Sequence, residues 1–155
     1  MNIFSSTRIS NTSLAGALFI VLGLFGELSS AATWIDTPIG LVGLGCVAGA
    51  LSVSGLTTKC SSTNRAISLA FVLVALWAAV NLAHTETVMG QVSGGYWCFV
   101  IALALAIWAT MSRFAAITPT PGVGAFLYQF LVPGLFGVWL IVLWELITVG
   151  LGIPR

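Results

Sequence analysis

Charge is what this sequence has least of. Only 6% of its 155 residues are Asp, Glu, Lys or Arg. A water-soluble domain carries roughly 25%, so this chain lacks the groups to clothe a globular surface in water. The formal net charge of +1 provides neither a basic patch nor a long-range field, which excludes nucleic acid as a partner. Cys46, Cys60 and Cys98 have no CxxC neighbour, so no zinc or redox motif is present. They read as small packing residues. His84 is the one histidine, which rules out a bis-His haem site within the chain. P-loop, GxSxG and HExxH motifs are absent, as are paired carboxylates at catalytic spacing. We therefore expect no enzyme activity, no cofactor and no metal site.

What the chain has instead is apolarity: 59% hydrophobic residues and a mean hydropathy of +1.10. Lipid is the solvent that tolerates this composition. The expected fold class is an all-α integral membrane protein. Five apolar segments, at about 14–33, 38–56, 66–83, 92–111 and 126–150, each approach the roughly 20 residues that span a bilayer as a helix. They are continuous rather than alternating, which argues against a β-barrel. Arg8, the apolar stretch from Leu14 to Phe25 and the small residues Ser29 to Ala32 imitate a signal peptide; the segment is read as a retained membrane helix.

The connectors are punctuated by turn residues. Asp36-Thr37-Pro38 predicts a tight turn, with Pro38 in the first turn of the second segment. Polar loops follow at 59–65 and 84–91. The longest link, 112–125, contains Pro119 and Pro121, which stop the fourth segment from continuing. The expected division is a four-helix bundle over 1–117, then a Pro-rich linker and a separate fifth helix over 118–155.

Five crossings place Arg8, Lys59, Arg65 and Arg113 on one side, and Asp36 and Glu86 on the other. The positive-inside rule then predicts a cytoplasmic N-terminus and an external C-terminus. In that frame Asn11-Thr12-Ser13, a glycosylation acceptor pattern, is cytoplasmic and unused. Trp34, Trp97 and Trp144 fall near outer helix ends, where amphipathic indoles anchor at the interface. Trp77, Trp108 and Trp139 fall deeper and read as packing residues rather than a cofactor box.

A few positions are candidates for function. Glu27 lies past the middle of the first segment, where an isolated carboxylate costs about 2.5–3.5 kcal/mol. It must face protein, reach the interface or be protonated. Glu145 and His84 are the other polar positions of interest, each near an outer helix end. Gly45-xxx-Gly49 is a small-xxx-small spacing, which favours a close helix contact, within the chain or with another subunit. Pro133 is expected to bend the fifth segment, with Gly134 and Gly137 giving the bend room to pack.

The final segment reads Phe126-Leu127-Tyr128-Gln129-Phe130-Leu131-Val132-Pro133-Gly134, continues through Trp144-Glu145 and ends Gly152-Ile153-Pro154-Arg155. This resembles the first membrane helix of permease subunits in ABC importers of the nitrate/sulfonate/taurine type. In that family a Pro precedes a long apolar helix, a Trp-Glu-like pair closes it and a Gly-Ile-Pro-like stretch leads outside. The resemblance covers about a fifth of the chain. The family's Glu-Ala-Ala-type cytoplasmic loop and its remaining helices have no counterpart in this sequence. The resemblance thus implies an N-terminal module, or a split or degenerate relative, of such a permease in a bacterial inner membrane. The fifth helix, set apart by Pro119 and Pro121, is expected to dock on a partner protein with Trp139, Trp144 and Glu145 nearest it. The competing expectation is a small structural subunit of a larger photosynthetic or respiratory membrane complex. In both cases the partners are the lipid bilayer and other membrane protein subunits.

Overall fold

The computed structural model describes residues 11–28, 34–56, 62–84, 94–115 and 123–151. Five α-helices and one 3-10 turn make up these residues: α1 (Asn11–Leu28), the turn Trp34–Asp36, α2 (Pro38–Leu56), α3 (Ser62–Ala83), α4 (Gly94–Ala115) and α5 (Val123–Gly150). No strand occurs among the described residues. Three helices are long and apolar enough to cross a bilayer, over Pro38–Gly55, Ser62–Ala83 and Gly94–Ala115. The described apolar parts of α1 and α5 are shorter, at Asn11–Phe25 and Pro133–Val149.

Several helices start before the apolar run does. α3 begins at Ser62 rather than Ala66, and α1 at Asn11 rather than Leu14. Apolarity marks which residues suit lipid, whereas backbone hydrogen bonding continues into polar residues at a helix end. At α2 the expected turn is present. The Thr37 hydroxyl accepts from the Gly40 backbone N–H at 3.0 Å, capping the helix, and donates to the Trp34 carbonyl at 2.6 Å. Gly40 is obligatory here, because a Cβ would run into the Trp34 carbonyl oxygen.

Small residues gather on the inner faces of the helices, while large apolar side chains lie on both faces. α3 turns Ser68, Ala75, Ala78, Ala79 and Ala83 inward together with Val72, Leu76 and Leu82. It leaves Ile67, Leu73, Val74 and Trp77 exposed. α1 likewise exposes Leu14, Leu18, Val21, Leu22 and Phe25, while Gly16 meets Leu51, and Gly23 meets the Gly95 carbonyl and Cys98. Small residues let neighbouring helices come close enough for dispersion and polar contacts to hold them.

The principal helix contacts pair α1 with α4 and α2 with α3, and these four helices form the bundle. α5 leans chiefly on α3 and touches α4 less. Its C-terminal half supplies buried Leu146 and Thr148, and Val142, Leu143 and Val149 pack against the core. α5 runs unbroken through Pro133. Gly134 and Gly137 face open space rather than a close neighbour, so the tight packing expected beside Pro133 is not formed within this chain. Pro119 and Pro121 lie outside the described residues.

Candidate functional site

The polar groups collect at the two ends of the bundle. Ser13, at the start of α1, lies against Gly55 at the end of α2. At this same end a hydroxyl chain crosses three helices: Ser54 to Ser68 at 3.3 Å and Ser68 to Thr110 at 2.7 Å. Arg113, in the last turn of α4, donates to the Ser54 carbonyl at 2.7 Å. Arg65 stands in the first turn of α3 at this end as well. In an apolar interior each hydroxyl needs a partner, and here α2, α3 and α4 supply one another's. The signal was present in the sequence as hydroxyl residues inside otherwise apolar runs, but their pairing requires the three-dimensional register.

The opposite end holds the aromatic cluster and the candidate acid and base. Trp34 is 4% exposed, with its ring centroid 5.2 Å from Phe99 and 6.4 Å from Tyr96. It is therefore a core residue, contrary to its expected place as an interface anchor, because the capped turn before α2 tucks it under the bundle. Tyr96 donates its hydroxyl to the Ala79 carbonyl at 3.3 Å. Among the deeper tryptophans, Trp77 and Trp108 point outward and are exposed. They do not pack within the core, because the inward faces of α3 and α4 are formed by other residues, small ones such as Ala75, Ala79 and Ala106 and large ones such as Leu82, Phe99 and Leu103.

His84 and Glu145, two separate candidates in sequence, meet here. The His84 Nε2 lies 3.2 Å from Glu145 Oε1, with both side chains partly exposed. The contact ties the residue that follows α3 to the last turns of α5. The side chain of Glu27, in the last turn of α1, lies outside the described residues. Among those described, no group of three or more His, Cys, Asp and Glu side chains is close enough to hold a metal ion.

The glycine pair divides. Gly49 is covered by the Phe71 ring, which a Cβ would meet at 3.0 Å. At Gly45 nothing comes within 4 Å of an added Cβ. Gly45-xxx-Gly49 is therefore not a single close seam inside this chain. Close approach on α2 falls instead at Gly43, against Ala78 and Phe99, and at Gly55, against Ser13.

Below the His84–Glu145 contact, α5 and α4 diverge. Between Ile107, Trp108 and Met111 on one side and Pro133, Phe136 and Trp139 on the other lies an open apolar cleft of about 470 Å³. Trp139 is half-buried, whereas Trp144 is 68% exposed on the outside of α5. Compared with protein-family models, curated proteins and solved structures, the chain matches none.

Proposed function

We propose that the chain is a non-catalytic integral membrane subunit whose five helices cross the bilayer, with the Ser54–Ser68–Thr110 end in the cytoplasm and the His84–Glu145 end outside. The observation that carries this reading is the outer surface: large aliphatic and aromatic side chains such as Leu18, Phe25, Val74, Trp77, Trp108 and Ile141 lie exposed, while small residues and hydroxyls line the helix contacts inside. Water would penalise such a surface, while lipid accommodates it and rewards small-residue helix contacts. The placement of Arg65 and Arg113 at one end, with Lys59 and Arg8 adjacent in sequence, supports the orientation. The inner-membrane location and a role beside an ABC-type importer permease rest on the resemblance of α5 alone. The half-docked α5, with its exposed aromatics, suits that role and equally suits an accessory subunit of another membrane complex.

A cysteine placed at exposed Ser62 in a chain otherwise free of cysteine tests the orientation. In intact cells it should resist an impermeant thiol reagent added from outside and react once the membrane is opened; labelling from outside overturns the orientation. Purification in mild detergent separates the two roles. An ATPase subunit and a solute-binding protein at fixed stoichiometry support the importer role; electron-transfer or pigment-bearing subunits support the alternative.

A further inference from the structure

We propose that His84 and Glu145 form a pH-responsive latch that sets how closely α5 lies against the bundle. Burial of Leu146 and its apolar neighbours contributes little net hold in lipid, because acyl chains are as apolar as the partner helix. A polar contact therefore carries more weight than its size suggests. The 3.2 Å contact from Nε2 to Oε1 is such a contact, and it joins α3 to the half of α5 that is docked. Toward the other end, α5 runs past exposed Pro133 and Gly134 beside the open cleft with α4.

Histidine is the side chain suited to switching such a contact between pH 5 and 8. A protonated imidazole offers Glu145 a charge-assisted hydrogen bond, and a neutral one offers at best an ordinary hydrogen bond. His84 also follows directly on the C-terminus of α3, its backbone N–H accepted by the Val80 and Asn81 carbonyls. Acidification thus strengthens the latch and alkalinisation loosens it. The other ionisable groups of this end are few. Asp36 sits exposed in the 3-10 turn, and Tyr96 is buried with its hydroxyl on Ala79. Cys98 sits half-buried in the second turn of α4, and the side chains of Glu27, Glu86 and Arg155 lie outside the described residues. Glu145 is the carboxylate in contact with His84. A partly exposed pair is worth about 0.2–1 kcal/mol, so the expected response is a shift of up to about fivefold in the ratio of close to open α5, not an all-or-none transition.

The test places spin labels across the cleft at Ser112 and Gly134 in full-length protein lacking Cys46, Cys60 and Cys98, and reads the distance distribution by pulsed electron resonance. In detergent, where both ends meet the buffer, going from pH 8 to pH 5 should enrich the short distance two- to fivefold. His84→Gln and Glu145→Gln should each abolish that response while keeping the helical content of the parent. A parent with no pH response, or a His84→Gln variant that responds as the parent does, overturns the latch. The inference rests on the proposed membrane location for the weight of the contact, and on the proposed orientation for which compartment is sensed. In proteoliposomes of one defined orientation, a response to internal rather than external pH would overturn the orientation and leave the latch standing.

Discussion

Helix α4 buries residues along its whole length, from Gly95 and Tyr96 through Ala102 and Ala106 to Thr110. Helix α5 is longer, at 28 residues against 22, and among its described side chains only Leu146 and Thr148 are buried. Both are strongly apolar, so apolarity does not explain the difference. What α4 has is a run of small residues, Gly95, Ala102, Ala106 and Ala109, on the face that meets its neighbours, interleaved with ring and hydroxyl groups that find partners there. α5 has its small residues, Gly134 and Gly137, on a stretch where nothing approaches. In a lipid environment a helix is incorporated by close fit and polar pairing, and a merely greasy helix stays loose.

The strongest way to break that comparison is to exchange the fates of two phenylalanines. Phe99 is buried against Trp34 and Tyr96 and lies over Gly43. Phe136, on α5, is exposed and stacks loosely on Trp139. Phe99→Ala should cost about 3–5 kcal/mol in an unfolding titration, as for other large-to-small core changes. Phe136→Ala should stay within about 0.5 kcal/mol of the parent. Equal losses at the two positions would mean that α5 is as tightly integrated as α4.

A smaller effect sharpens the role of polar pairing. Ser68 is the middle of the chain that joins Ser54 on α2 to Thr110 on α4. Ser68→Ala removes both links and leaves two buried hydroxyls to find new acceptors. Single interhelical hydrogen bonds in membrane proteins average about 0.6 kcal/mol and reach about 1.7, so a loss in that range is expected by the same titration. A Ser68→Ala variant as stable as the parent would show that this end is held without the hydroxyl chain, by small-residue fit and the Arg113 bond to the Ser54 carbonyl.

The helices themselves were legible from apolar run length, and so was the turn before α2 from Asp36-Thr37-Pro38. The loss came at rotation: which way each helix faces. A run such as α2 is apolar on every side, so no periodicity marks its inner face. That is why Gly45 and Gly49 could not be told apart, and why Trp34 lies in the core rather than at the interface expected for it. Glu145 and His84 each stood out as rare polar residues near a helix end. Their meeting depends on the register of α5 against α3, which no local spacing encodes. The hydroxyl chain is intermediate, since polar residues in an apolar run must pair but the run does not say with what.

The smallest expected effect on the chain itself is at Gly45, and it bears on what lies beyond the chain. An added side chain at Gly49 would meet the Phe71 ring, so a change there confounds folding with assembly. Gly45 has open space around the position of a Cβ and sits on the exposed face of α2 with Leu41 and Val42. Gly45→Leu should therefore leave the thermal midpoint of the isolated protein unchanged. If this face of α2 meets another subunit closely, the same change places a branched side chain where a helix must approach, and the complex should be lost while the isolated chain stays folded. Native gel migration of parent and variant from the same membranes reads that outcome. Retention of the complex by Gly45→Leu would assign this face to lipid and leave the loosely held α5 as the side on which a partner docks.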